Sequence, residues 1–137
     1  MSSSQNTFEI HSDTLTCQSP SDKLIQFLSD IHHLESILPK DKIHNINSLD
    51  KNTIRFDIEN IISLTLHIDQ SNPNSIIYRS EPFGNYFLVL IVHFNDQNQS
   101  QITLTGHLNS FVLSIAKNKL THLVNKINKE LSELKLS

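Results

Sequence analysis

The stretch from Ser110 to Leu134 is the strongest constraint on how this chain can fold. Val112, Ile115, Ala116, Leu120, Leu123, Val124, Ile127, Leu131 and Leu134 fall on one broad stripe, while Lys117, Lys119, Lys126 and Lys129 mostly face away. The spacing is helical, and the stripe is wider than a coiled-coil seam, so this helix should lie on a sheet. Asn118 and Thr121 soften the stripe midway, where a bend would fit. Much of what precedes it reads in a period of two, the period of half-buried strands. A chain of this order must curl a sheet around one long helix. It then either fills the space between them or leaves a cavity there.

Residues 7–17 read as a first strand. Phe8 and Ile10 alternate with Glu9 and His11, and Leu15 and Cys17 continue in the opposite phase. The slip near Ser12 or Asp13 marks a bulge, or a strand twisting out of the sheet. Ser19-Pro20-Ser21-Asp22 is a helix start, with Ser19 as cap, Pro20 at the first helical position and Asp22 closing a capping box. Leu24, Phe27, Leu28 and Ile31 form its apolar face; His32 and His33 interrupt it; Leu34, Ile37 and Leu38 begin a second short piece that Pro39 stops. Strands are then expected from Ile43 to near Leu49, and over Ile54–Ile58, Ile62–Asp69, Ile76–Arg79, Phe87–Phe94 and Ile102–Leu108. Phe87–Phe94 is apolar on both faces, so it belongs in the middle of the sheet or under two covers. The connections are short turns such as Asp50-Lys51-Asn52 and Ser71-Asn72-Pro73-Asn74, so pairing should be antiparallel. Asn109 and Ser110 are both suitable caps for the last helix. The expected class is α+β: a curved seven-stranded antiparallel sheet around the C-terminal helix, with two short helices after the first strand. It should occupy residues 1–137 as a single domain, with 1–6 a disordered tail.

At 137 residues, the chain can bury roughly two thirds of its extended surface without metal or disulfides. The net charge is −3, and no basic patch precedes the last helix, which argues against a nucleic-acid partner. Cys17 is the only cysteine, so an internal disulfide and a cysteine metal cluster are excluded; an inert, half-buried thiol is expected. MSSSQNTFEI has neither the basic nor the apolar region of a signal peptide. The longest apolar run, Tyr86 to Val92, is far short of the ~20 residues of a membrane-spanning helix. A cytoplasmic location is the expectation.

Several segments resemble the START/Bet v 1-like superfamily, in the small bacterial branch called SRPBCC or polyketide cyclase/dehydrase-like. They are the first strand leading into SPSDKLIQFLSD and HHLESILP, the strand end SIIYRSEPFGNYFLVL, and the closing NSFVLSIAKNKLTHLVNKINKELSEL. The resemblance runs from Phe8 to Leu136 and implies a helix-grip fold. It also implies a cavity between sheet and helix that takes a lipid, polyketide or aromatic molecule. Relatives often place glycine in the turn and strand that this chain fills with Asp57 to Ser63.

If Leu66 sits opposite Tyr78, Phe94 opposite Ile102 and Leu90 opposite Gly106, one apolar surface faces the last helix. Leu64, Leu66, Leu90, Val92, Leu104 and Gly106 would then line the site, joined by Ala116 and Leu120 from the helix, Phe83 from the mouth and Tyr78 as a polar group. Tyr78 has two readings: a hydrogen bond to a ligand, or the backbone or water partner that buried tyrosines usually find. Gly106 either leaves ligand space or relieves crowding. Arg79 and Glu81 are further candidates for a ligand's polar end, and the Ile31–Pro39 junction and the Pro82–Asn85 loop are candidate gates. The eight histidines are scattered, with His67, His93 and His107 in the outward phase, so no metal or other cofactor is expected. No nucleophile, base and acid stand in a recognisable order. Ile77, Phe87, Val89 and Ile91 fall in the outward phase, where they would suit a homodimer interface or lie under a neighbouring element. The leading reading is binding of a small hydrophobic ligand. The alternatives are a cyclase/dehydratase-like or hydrolase-like enzyme on an apolar substrate, and a ligand-free homodimeric or protein-interaction module.

Overall fold

The computed structural model describes residues 7–82 and 86–136. Its strands are β1 (Thr7–His11), β2 (Leu15–Thr16), β3 (Ile43–Asp50), β4 (Thr53–Ile58), β5 (Ile62–Asn72), β6 (Ser75–Ser80), β7 (Phe87–Phe94) and β8 (Gln99–His107). Helix α1 (Ser21–Leu28) and a 3-10 helix (Ile31–Ile37) follow β2, and α2 (Ser110–Glu133) comes last. The antiparallel sheet runs β1-β8-β7-β6-β5-β4-β3. Two-residue β2 also pairs with β8, so β1 and β2 share one position and seven positions curve around α2.

The phase slip in the first strand is a break between β1 and β2, repaired by a side chain. Ser12 N donates to the Ile102 carbonyl at 2.8 Å, and Ser12 Oγ accepts from Ile102 N at 2.8 Å. The hydroxyl therefore stands in for a missing ladder carbonyl. Along β8 the alternation is unbroken, with Ser100, Ile102, Leu104 and Gly106 buried and their neighbours half-buried.

Three registers differ from expectation, each by two residues. Tyr78 pairs with Ile68, Leu90 with Leu104, and Phe94 with Ser100. The β7–β8 loop is shorter than its composition suggests. Asn95 Oδ1 accepts from Gln97 N and Gln99 N, and Asn98 takes a left-handed φ of 59°, so β8 begins at Gln99. A two-residue slip keeps every side chain on its face, so the expected inner surface survives. β5 bulges between Ile68 and Gln70 and β3 is irregular twice, which bends that side of the sheet.

The cap on α1 is a correction. Pro20 occupies the cap position without a side-chain bond, and Asn98 Oδ1 accepts from Ser21 N at 2.7 Å across 77 residues of sequence. Asp22 accepts from Lys23 N instead of closing a box. Ser19 Oγ donates to the Leu134 carbonyl and accepts from Leu136 N, tying down the chain end. The last helix is capped by Asn109, whose Oδ1 accepts from Phe111 N.

The two halves of α2 are held differently. Its C-terminal half buries Leu123, Val124, Ile127 and Leu131, and Asn128 is fully enclosed. Asn128 accepts from Ser100 Oγ and donates to the carbonyls of Asp13 and Ser100. Asn125 accepts from Asp13 N, and the Ser132 carbonyl accepts from Gln18 N. The first turns stand off the sheet: Phe111 is 71% exposed and Ile115 54%. Ile115 therefore leaves the stripe on which the periodicity places it. Ala116 is the first buried helix residue.

Candidate ligand-binding site

Side chains nearly fill the space between sheet and helix. The enclosed void that remains is about 20 Å³, lined by apolar residues including Phe56, Ile58, Leu64, Leu90, Leu104 and Val124. That is about one water's room, and with no polar wall it stays dry. Organic ligands usually occupy roughly 300 Å³ or more. The wide internal cavity implied by the resemblance is thus closed, because leucine, isoleucine and phenylalanine from five strands meet Leu123, Val124 and Ile127 of α2.

Room between sheet and helix lies instead at the N-terminal end of α2. A groove of about 340 Å³ is lined by Ile61, Ile62, Ser63, Tyr86, Leu108, Asn109 and Val112. It exists because the first turn of α2 stands away from the β4–β5 hairpin. The Ile58–Ile62 cross-strand pair connects it to the core, since Ile62 lines the groove and Ile58 the void.

The expected site residues divide accordingly. Leu64, Leu66, Leu90 and Leu104 line the internal void. Val92, Ala116 and Leu120 are buried in the surrounding core. Phe83 lies outside the described residues. The Tyr78 hydroxyl donates to the Leu28 carbonyl at 2.9 Å, satisfying the last turn of α1, and burial pushes the phenol well above its ordinary value of 10.0. Its hydroxyl is therefore held by the backbone. Gly106 is required by backbone proximity: a Cβ there would lie 2.2 Å from the Phe87 carbonyl oxygen. Arg79 reaches Asp69 at 3.4 Å rather than Glu81.

Sequence reasoning missed Ile61, Ile62, Tyr86, Leu108 and Val112 as a group. The available signal was two consecutive isoleucines at a hairpin tip, where a one-sided strand needs only one. A polar recess of about 310 Å³ adjoins the groove through Ile61, Ile62 and Ser63, and contains Asp57, Glu59 and Asn60. Hydrogen bonds from Asn45 Nδ2 at 2.8 Å and Ser63 Oγ at 2.5 Å hold the Asp57 carboxyl below its ordinary 3.8. Glu59 adopts φ 45°, faces Lys42 at 3.7 Å, and has Oε2 buried with no hydrogen-bond partner.

On the outer face, Val89 is buried at 6%, Ile77 and Ile91 are half-buried, and Phe87 is 37% exposed. Cys17 is buried and free, and desolvation raises its thiol. Among the described residues, no three His, Cys, Asp or Glu side chains gather as a metal site would require, and no helix is long and apolar enough to cross a membrane.

No protein-family model and no curated protein matches this sequence. Solved structures do match its shape. KanY protein superposes with a TM-score of 0.71 at 11% identity, covering 92% of this chain and 95% of that one. The di-domain ARO/CYC StfQ from the steffimycin biosynthetic pathway gives 0.63 at 10% identity, over 94% of this chain and 51% of that one. A START superfamily protein from Mycobacterium smegmatis gives 0.57 at 10% identity, over 91% and 96%. The chain therefore has the helix-grip fold that these structures share.

Proposed function

We propose that this protein binds a small hydrophobic ligand in the groove between its sheet and the N-terminal turns of α2. The observation that carries this reading is the 340 Å³ recess walled by Ile61, Ile62, Leu108 and Val112. An apolar void of about 150 Å³ accepts a benzene-sized guest, so this groove suits one or two rings or a short acyl chain. Tyr86 and Asn109 border it and would meet the ligand's polar end. Burying roughly 250 Å² of apolar ligand surface yields about 6 kcal/mol before immobilisation is subtracted, hence a Kd weaker than about 40 µM. Among the described residues, the groove lining is mostly apolar side chains, which favours binding.

Fluorescence titration with an anilinonaphthalene probe tests this. Saturable binding by the parent protein, weakened at least about tenfold by Val112→Asp, is expected, since a carboxylate would have to be desolvated against the probe. Equal binding by both proteins would remove the groove as the site.

A further inference from the structure

Ser48 and His32 lie 16 positions apart in sequence, yet Ser48 Oγ is 2.8 Å from His32 Nδ1. Ser48 is on edge strand β3, and His32 is in the first turn of the 3-10 helix. With the ring proton on Nε2, Nδ1 accepts from the serine hydroxyl, the arrangement in which an imidazole takes a serine's proton. Local structure fixes both partners. Asp30 Oδ1 accepts from His32 N at 3.0 Å, which starts the 3-10 helix. Ser48 pairs with Ile54 and Asp50 with Thr53, so Leu49 is an extra residue that kinks the edge strand.

Complementary groups gather beside the pair. A groove of about 610 Å³ adjoins His32; Lys51, Asn52, His67, Ile68, the acidic Asp30 and the largely buried Ile31 also line it. Lys51 and Asn52 carry N–H donors, and Ile31 and Ile68 give the groove apolar wall. The Asp50 carboxyl is held low, chiefly by a hydrogen bond from Asn52 N. Ser48 reaches the imidazole directly, and Asp50, Lys51 and Asn52 follow it on the same short segment, with Asn52 N donating to Asp50 Oδ1 at 2.8 Å.

We propose that Ser48 and His32 form a nucleophile–base pair that hydrolyses small carboxylic esters, whose apolar part rests on Ile31 and Ile68. Ser48 Oγ attacks the ester carbonyl carbon while its proton passes to His32 Nδ1. The bond from that carbon to the alcohol oxygen breaks, and His32 returns the proton to the departing alcohol. Water then attacks acyl-Ser48, gives a proton to His32, and the carboxylic acid leaves as Ser48 regains its hydrogen. Lys51 and Asn52 stabilise the charge on the carbonyl oxygen, and the Asp50 carboxylate stabilises the imidazolium. This activity is separate from the α2 groove and does not depend on it.

The test treats the full chain with an alkyl fluorophosphonate, which bonds phosphorus to an activated serine oxygen and releases fluoride. One adduct is expected, located by peptide mass spectrometry on Ser48. It should be absent from Ser48→Ala and form at least about tenfold more slowly in His32→Ala, the lower end of what a positioned base contributes. Both side chains lie at the surface, and unchanged thermal midpoints would show that the variants fold. Hydrolysis of 4-nitrophenyl butyrate should fall at least about tenfold in Ser48→Ala. Absence of the adduct, equal labelling of His32→Ala, or ester hydrolysis that survives Ser48→Ala would overturn the proposal. The last of these is what an imidazole acting alone would give.

Discussion

Replacing Asn128 by leucine should be among the most damaging single changes outside the apolar core. The side chain is fully buried. It accepts from Ser100 Oγ at 2.6 Å and donates to the Asp13 and Ser100 carbonyls at 2.7 and 3.0 Å. Leucine is similar in size, so the loss is chiefly of these bonds. Each is worth about 1 kcal/mol net, and a buried acceptor left unpaired costs about 1–3 kcal/mol. The Asp13 carbonyl keeps the Ser12 hydroxyl as a donor, which limits that part of the penalty. The sum is about 3–4 kcal/mol, a large share of a typical domain's 5–15 kcal/mol. Urea unfolding followed by circular dichroism should show the midpoint falling by roughly 1.5–2 M for a slope of about 2 kcal/mol/M. Phe111→Ala, in the turn that stands off the sheet, should cost under about 0.5 kcal/mol. A loss below about 1 kcal/mol for Asn128→Leu, or an equal loss for Phe111→Ala, would refute the claim that α2 is pinned at one end only.

Other outcomes follow from single sites. Gly106→Ala should cost at least about 2 kcal/mol in the same assay, because the new Cβ meets backbone that cannot move aside. Glu59→Gly should raise the thermal midpoint, equivalent to about 0.5–1 kcal/mol, by removing an L-residue from a left-handed φ and an unpaired buried oxygen; a drop would mean that the Lys42 pair outweighs both. Asp41, Asp50 and Asp57 have folded-state values below their ordinary 3.8, so their contribution is present above that pH and fades as pH falls through the lower folded values. The urea midpoint should therefore decline below about pH 4, and Asp57→Asn should flatten the decline; identical profiles would contradict the Asn45 and Ser63 bonds to Asp57.

The architecture was legible in the sequence because it rests on periodicity. The one-sided run at Ile62, Leu64 and Leu66 and the alternation of β8 place whole faces, and a two-residue register slip leaves those faces intact. Contacts made by single polar side chains were not legible. Asn98 caps a helix 77 positions away, and Ser12 replaces a ladder carbonyl across 90 positions; neither has a local signature. The site was read as far as its fold allowed. Leu64, Leu66, Leu90 and Leu104 do line one internal void, but periodicity cannot weigh side-chain volumes against the space between layers. It therefore could not reveal that the leucines would close the interior to about 20 Å³ and leave the open room beside Val112. The Tyr78 hydroxyl was similarly out of reach, because its partner is a carbonyl on a helix 50 positions away.

The proposed binding mode seats an apolar guest between the β4–β5 hairpin and the first turn of α2. Methyl-labelled NMR with a saturating naphthalene-type ligand tests it most directly. Intermolecular nuclear Overhauser contacts from the ligand to the methyl groups of Ile61, Ile62, Leu108 and Val112 are the expected result. Contacts only to methyls elsewhere, or none at saturation, would contradict the account.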